Sequence, residues 1–130
     1  MRKSKIVMTV IKEKNGYSAT TSVKEIHINT VGETLDELKA NILEAVNLSF
    51  EEKGVVYTVD EIALRPDLQS FFEFYKVINV KALSERIGMN QSLLAQYIRG
   101  IKKPSPSQTK RILEGVKQVG KELTSIQFIF

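Results

Sequence analysis

Four polar side chains on one short segment are the residues in this sequence best suited to chemistry. Gln91, Ser92, Gln96 and Arg99 lie in the segment QSLLAQYIRG, which begins at Gln91. At helical spacing they occupy one face, opposite the face that carries Leu94 and Ile98. Glutamine and arginine make paired hydrogen bonds to adenine and guanine edges in the major groove of DNA. The segment therefore predicts base contacts.

Two short helices joined by a tight turn must position these side chains. The turn is predicted at Gly88-Met89-Asn90. Asn79 and Asn90 are suited to cap the two helices, because a short polar side chain accepts from unpaired backbone N–H groups. The polar residues around the pair are predicted to contact phosphate: Asn79, Lys81, Asn90, Lys102 and Lys103. The alternative is an ordinary helical hairpin with a solvated polar face.

The segment 80–105 resembles the Cro/C1-type (XRE) helix-turn-helix. The resemblance rests on an apolar-x-x-Ala/Ser-x-x-apolar-Gly pattern, a short turn, and a polar-fronted helix that ends in Gly100. Ser84 stands where that family usually has Ala, and Val80 where it often has a phosphate-contacting Gln. The second difference leaves Lys81 or Asn79 to replace that contact. The resemblance implies binding to operator DNA.

Charge is divided unevenly along the 130 residues, which suit one domain or two small ones. Residues 1–75 carry 9 Lys/Arg and 12 Asp/Glu, a net of −3, whereas residues 76–130 carry 10 and 3, a net of +7. A basic half that also holds the helix pair is typical of a nucleic-acid module joined to another module. The absence of cysteine excludes disulfides and thiol catalysis. Without an apolar run of membrane length or a signal peptide, we expect a cytoplasmic protein.

The first half predicts an α+β layer, a small antiparallel sheet with one helix packed on one face. Strands are predicted at residues 5–14, 17–23, 26–29 and 62–64, with residues 55–58 also β-prone. Asn15-Gly16 favours a two-residue hairpin turn between the first two strands. Thr34 begins a capping-box sequence ahead of an apolar stripe, which predicts a helix from Leu35 to about Glu52.

The second half predicts an all-α domain followed by a C-terminal strand. Pro66 marks the break, so the predicted domains are residues 1–66 and 67–130. The aromatic stretch 68–76 is predicted to pack as a helix over the helix pair. Ser105-Pro106 begins another helix, which Gly115 and Gly120 loosen or end. Residues 123–130 switch to period two and predict a strand that pairs with the chain's own sheet or with a second subunit.

No catalytic constellation is recognisable in the sequence. The one histidine, His27, lies between two isoleucines of a predicted strand. No carboxylate or second histidine lies at metal-ligand or catalytic-triad spacing from it, and there is no glycine-rich phosphate loop. We therefore expect no catalytic residue, no metal site and no cofactor, and a protein that is not an enzyme.

The first half resembles the HicB-like antitoxin domain. The matching residues are 15–19, reading NGYSA, and 32–38, reading GETLDEL. The family's acidic, proline-containing turn between its second and third strands is replaced here by residues 22–25. The resemblance implies a reduced RNase-H-like fold without nuclease residues. With the helix-turn-helix it covers nearly the whole chain.

Together the two resemblances imply a type II antitoxin. Its first domain would inhibit a small basic mRNA-cleaving toxin of the HicA type, and its second would repress its own operon. We also expect the chain to assemble as a homodimer or higher homo-oligomer. An acidic first half suits a basic partner, because complementary potentials speed encounter. Three alternatives remain open: a stand-alone regulator whose first domain dimerises or senses a ligand, a dimerisation module without DNA binding, and an active nuclease. The last is disfavoured by the lack of clustered acidic residues for two metal ions.

Overall fold

The computed structural model describes residues 3–130, which divide into two units between Phe74 and Tyr75. The described chain is α+β, with a four-stranded mixed sheet and five α-helices. The division lies later than the domain boundary predicted after Pro66. Residues 1 and 2 of the predicted first domain lie outside the described residues.

The first unit consists of a sheet, a long helix on one face and a short helix. Its elements are β1 Ile6–Lys12, β2 Tyr17–Val23, β3 Ile26–Gly32, α1 Leu35–Ser49, β4 Ile62–Pro66 and α2 Leu68–Phe74, with single 3-10 turns at Glu51–Lys53 and Val59–Glu61. The strand order is β3-β2-β1-β4. Strands β1 to β3 are antiparallel as predicted, but β4 pairs parallel to β1. The prediction of a purely antiparallel sheet is wrong because α1 is a crossover, and a crossover connection joins parallel strands.

The core of this unit lies between the sheet and α1. Alternate residues of β1 (Ile6, Met8 and Val10) are fully buried, and so is Leu38 on α1. Period-two burial on the strand and period-four burial on the helix are the patterns expected of two amphipathic elements packed together. Gly32 ends β3 where the two elements approach closely. A Cβ there would lie 2.6 Å from the backbone nitrogen of Leu38, so no larger residue fits.

The turns of the sheet differ from the prediction. The β1–β2 loop spans residues 13–16, with the Glu13 N–H donating to the Gly16 carbonyl at 2.9 Å. Gly16 has positive φ but Asn15 does not, so the expected two-residue turn is wrong. The two-residue turn instead joins β2 to β3, where Lys24 has φ of 56°. Residues 55–58, which the sequence marks as β-prone, form no strand.

Helix α2 belongs to the first unit, contrary to its predicted place over the helix pair. Asp67 caps it by accepting from the Ser70 N–H at 2.8 Å, and its other carboxylate oxygen accepts from the Lys12 N–H at 3.1 Å. The Phe74 ring lies 4.6 Å from the Tyr17 ring, centroid to centroid. These contacts join α2 to the end of β1, and the aromatic residues fill a core as predicted, but a different one.

The second unit contains α3 Val80–Ile87, α4 Gln91–Ile98 and α5 Pro106–Ser125. Helix α5 runs through Gly115 and Gly120, the two glycines predicted to loosen or end it, so neither ends the helix. The Thr124 and Ser125 hydroxyls donate to the Lys121 carbonyl, which ties the final turn together. The predicted C-terminal strand is therefore wrong at residues 123–125, and residues 126–130 form no strand with the rest of the described chain. None of the helices in residues 3–130 is both long and apolar enough to cross a membrane.

Candidate nucleic-acid interface

Helices α3 and α4 form a compact pair whose ends are fixed by the residues that the sequence predicts. The Asn79 side-chain oxygen accepts from the Ala82 N–H at 3.0 Å, and that of Asn90 accepts from the Leu93 N–H at 3.2 Å. Gly88 ends α3 with φ of 68°, a left-handed conformation that glycine adopts without steric cost. Both caps and the turn are confirmed.

A small core holds the pair against α5. Leu83, Met89, Leu94 and Ile112 are buried and come from α3, the turn, α4 and α5 respectively. Ser84 is also buried, and its hydroxyl donates to the Lys81 carbonyl at 2.6 Å. The buried Ser84 hydroxyl thus has a hydrogen-bond partner within its own helix, as buried polar groups generally require.

The outward side of α4 carries the predicted base-contacting residues. Gln91 and Ser92 are exposed in its first turn, and Arg99 is exposed at its C-cap. Ser92, Gln96 and Arg99 follow one another at spacings of four and three, so they lie along one line of the helix surface. Gln96 is half-buried, and its side-chain oxygen is buried without a hydrogen-bond partner in residues 3–130.

The predicted phosphate contacts flank this helix. Lys81, Lys102 and Lys103 are exposed, as are Asn79 and Asn90. The side-chain oxygens of the two asparagines are used as helix caps. Their amide nitrogens can still donate to an anion, and they stand at helix N-termini, where the macrodipole is positive.

The nine predicted residues occupy three places in the second unit. These are the beginning of α3 (Asn79, Lys81), α4 with its caps (Asn90, Gln91, Ser92, Gln96, Arg99), and the loop after α4 (Lys102, Lys103). Because α3 contacts α4 and the loop extends directly from α4, the three groups lie on adjoining elements.

Two arginines have structural roles that the sequence did not reveal. Arg111 donates from Nε and Nη2 to the Ile87 carbonyl at 3.1 and 2.7 Å, and from Nη2 to the Gly88 carbonyl at 2.8 Å. Arg86 forms a bidentate ion pair with Glu122, with Nη1 donating to Oε2 at 2.6 Å and Nη2 donating to Oε1 at 2.8 Å. This hydrogen bonding lowers the pKa of the Glu122 carboxyl and raises that of Arg86. Both partners are distant in sequence, so no local pattern could have indicated them.

Comparison with known proteins adds no relative to this description. The chain matches no protein-family model, no curated protein and no solved structure. Within residues 3–130, no three His, Cys, Asp or Glu side chains are grouped so that they could hold a metal ion.

Proposed function

We propose that this protein is a HicB-like type II antitoxin that binds operator DNA through a helix-turn-helix formed by α3 and α4. It represses its own operon, neutralises a small basic HicA-like mRNA-cleaving toxin, and is not an enzyme. The observation that carries the proposal is the exposure of Gln91, Ser92 and Arg99 on α4 above a buried Leu94.

The helix pair supports DNA binding better than it supports a plain hairpin. The exposed side of α4 carries Gln91 and Arg99, two residue types that hydrogen-bond to base edges, and two exposed lysines, Lys102 and Lys103, follow it. A solvated hairpin does not require this combination. In a helix-turn-helix, the second helix enters the major groove with its N-terminal residues on the base edges. Here those residues are Gln91 and Ser92.

Gln96 is the predicted base-contacting residue whose side chain is not directed outward, because its amide oxygen is buried. A buried amide oxygen without a partner is unfavourable. The amide of a glutamine that turns towards an adenine edge gains two hydrogen bonds at once. A base contact by Gln96 therefore requires the side chain to change rotamer and expose its amide.

The first unit supports the antitoxin part of the proposal. The sheet with α1 on one face is the kind of layer that the HicB resemblance implies. The matched stretch 32–38 has a physical reason, since Gly32 and Leu38, its two ends, are the residues that let β3 and α1 approach. The first unit carries the net charge of −3, which suits a basic toxin.

A homodimer fits the surface of the second unit. Leu123, Ile126 and Phe128 are 65%, 56% and 79% exposed, and Ile126 has extended backbone angles. Burial of these side chains against a second copy would remove apolar surface from water. A two-fold dimer would also place two copies of α4 on the half-sites of a palindromic operator.

Binding of the purified chain to its own promoter tests the repressor assignment. We expect Gln91→Ala to weaken operator binding by about 1–3 kcal/mol and to relax specificity at one base pair. Lys102→Ala should weaken binding to all sequences and lower the slope of log K against log salt by about one. Lys117→Ala, at an exposed position of α5, is the matched control for Lys102→Ala. Equal loss on every sequence for Gln91→Ala would exclude base reading by that residue.

A further inference from the structure

A groove lies at the C-terminal end of α1 in the first unit, and none of the residues predicted to contact DNA lines it. It encloses about 420 Å³. Its walls are the end of α1 and the chain that leaves it: Glu44, Asn47, Leu48, Glu51, Gly54, Val55 and Val56.

The walls of the groove are fixed by hydrogen bonds. The Asn47 side-chain oxygen accepts from the Tyr57 N–H at 2.7 Å, and its amide nitrogen donates to the Tyr57 carbonyl at 3.1 Å. Tyr57 is buried and packs edge-on against Phe50, with ring centroids 5.3 Å apart. The segment after Gly54 is therefore held alongside α1 before any partner arrives, which reduces the entropy cost of binding.

The groove presents aliphatic side chains to water. Leu48 is 62% exposed and Val56 is 68% exposed, with the half-buried Val55 beside them. Single exposed aliphatic residues are common on protein surfaces. Two of them lining one groove offer a partner a concave apolar contact, which is the type of pocket that receives a buried anchor side chain.

The rim of the groove is negative. Two carboxylates, Glu44 and Glu51, are among the residues that line it, and no Lys or Arg is. None of the ion pairs formed within residues 3–130 involves Glu44, Glu51 or Glu52. The last turn of α1 has no basic residue, and the C-terminal end of its macrodipole is also negative. Carboxylates at this end of a helix are unfavourable on their own, so a cationic partner would relieve them.

We propose that this groove is the docking site for the basic toxin, which inserts an apolar side chain flanked by Lys or Arg. The apolar part of the contact is supplied by Leu48 and Val56, and the charged part by Glu44 and Glu51. This inference rests on the antitoxin function proposed above, and it adds the location and the chemistry of the contact.

The test is binding of the full chain to a purified small basic HicA-like toxin, taken from a reading frame adjacent to its own. Leu48→Lys and Val56→Lys should each weaken binding about tenfold or more, because each removes apolar contact and adds like charge. Glu51→Lys should slow association at low ionic strength and have less effect at high salt. The control is Val31→Lys, since Val31 is 63% exposed on β3, on the sheet face opposite the buried core. All variants change exposed positions, and circular dichroism and operator binding check that they remain folded.

The outcomes separate this inference from the proposed function. If the unaltered chain neither binds nor inhibits the toxin, the antitoxin assignment fails. If it binds the toxin and the three groove variants bind within about twofold of it, the groove is not the docking site although the antitoxin assignment stands. Loss of binding in Val31→Lys alone would move the contact to the opposite face of the sheet.

Discussion

Replacement of Gly115 by alanine tests how α5 is held against α3. An alanine Cβ at this position would lie 2.3 Å from Cγ2 of Ile87 and 3.6 Å from Cδ1 of Leu83. The Ile87 methyl branches directly from Cβ, and a β-branched side chain in a helix has one strongly preferred rotamer. The clash can therefore be relieved only by separation of the two helices or by an unfavourable rotamer.

Gly120, the second glycine of α5, is the reference for estimating the cost of overpacking at Gly115. A Cβ at Gly120 meets no atom within 4 Å. Glycine to alanine inside a helix gains about 1 kcal/mol in either place from backbone propensity. Overpacking costs about 1–3 kcal/mol at residue 115 alone. We expect Gly120→Ala to stabilise the second unit, Gly115→Ala to leave it unchanged or weaken it, and the difference between them to be that overpacking cost.

Amide hydrogen exchange measured residue by residue reports on the second unit separately from the first. The protected amides of α3 and α4 should gain protection in Gly120→Ala, and in Gly115→Ala their protection should be unchanged or lower. Ile87→Ala removes the clashing methyl, so Gly115→Ala should cost less in that background than in the natural one. Equal stabilisation by the two glycine substitutions would refute the close α3–α5 packing.

Three further predictions concern single residues. Lys24 has a φ of 56°, so Lys24→Asn should stabilise the first unit by about 0.5–1 kcal/mol in urea denaturation, because asparagine tolerates that region better; no gain would contradict the strain. Gln96→Met should raise stability by about 1 kcal/mol and weaken operator binding, because it removes the unpartnered oxygen and the base contact together; a loss of stability would show that the amide is satisfied. Since the pKa of Glu122 is lowered by Arg86, its contribution to stability is present above the ordinary carboxyl pKa and is lost as pH falls through the lowered one; Glu122→Gln should remove this part of the acid dependence, and an unchanged pH profile would count against the pair.

Local signals in the sequence predicted the local features of the fold. The caps at Asn79, Asn90 and Ser105 and the turn at Gly88 depend on residues within four positions of one another. Such features follow from side-chain and backbone preferences alone. The outward-facing residues of α4 were predictable for the same reason, because the start of a helix and its period determine which positions face outward.

Features that depend on distant contacts were not predictable. The aromatic stretch in α2 indicated a core but not which core, since its partner Tyr17 lies more than fifty residues earlier. The parallel pairing of β4 with β1 depends on the path of α1 over the sheet. At the end of α5, the β-prone residues 123–125 were outweighed by helix propagation, in which each added residue gains a hydrogen bond once the helix exists.

The arginines of the second unit show why charge counted along a sequence does not locate a binding surface. The guanidinium group presents five donors in a fixed fork, which suits a carboxylate or a pair of carbonyls within the fold as well as a guanine edge. Of the three arginines after Tyr75, Arg86 and Arg111 use this fork inside the unit. Arg99 is exposed at the end of α4 and is not a partner in the contacts of Arg86 or Arg111. Arg99, on the predicted recognition helix, is therefore the arginine available for the base contact that we propose, and the exposed lysines are available for the proposed phosphate contacts.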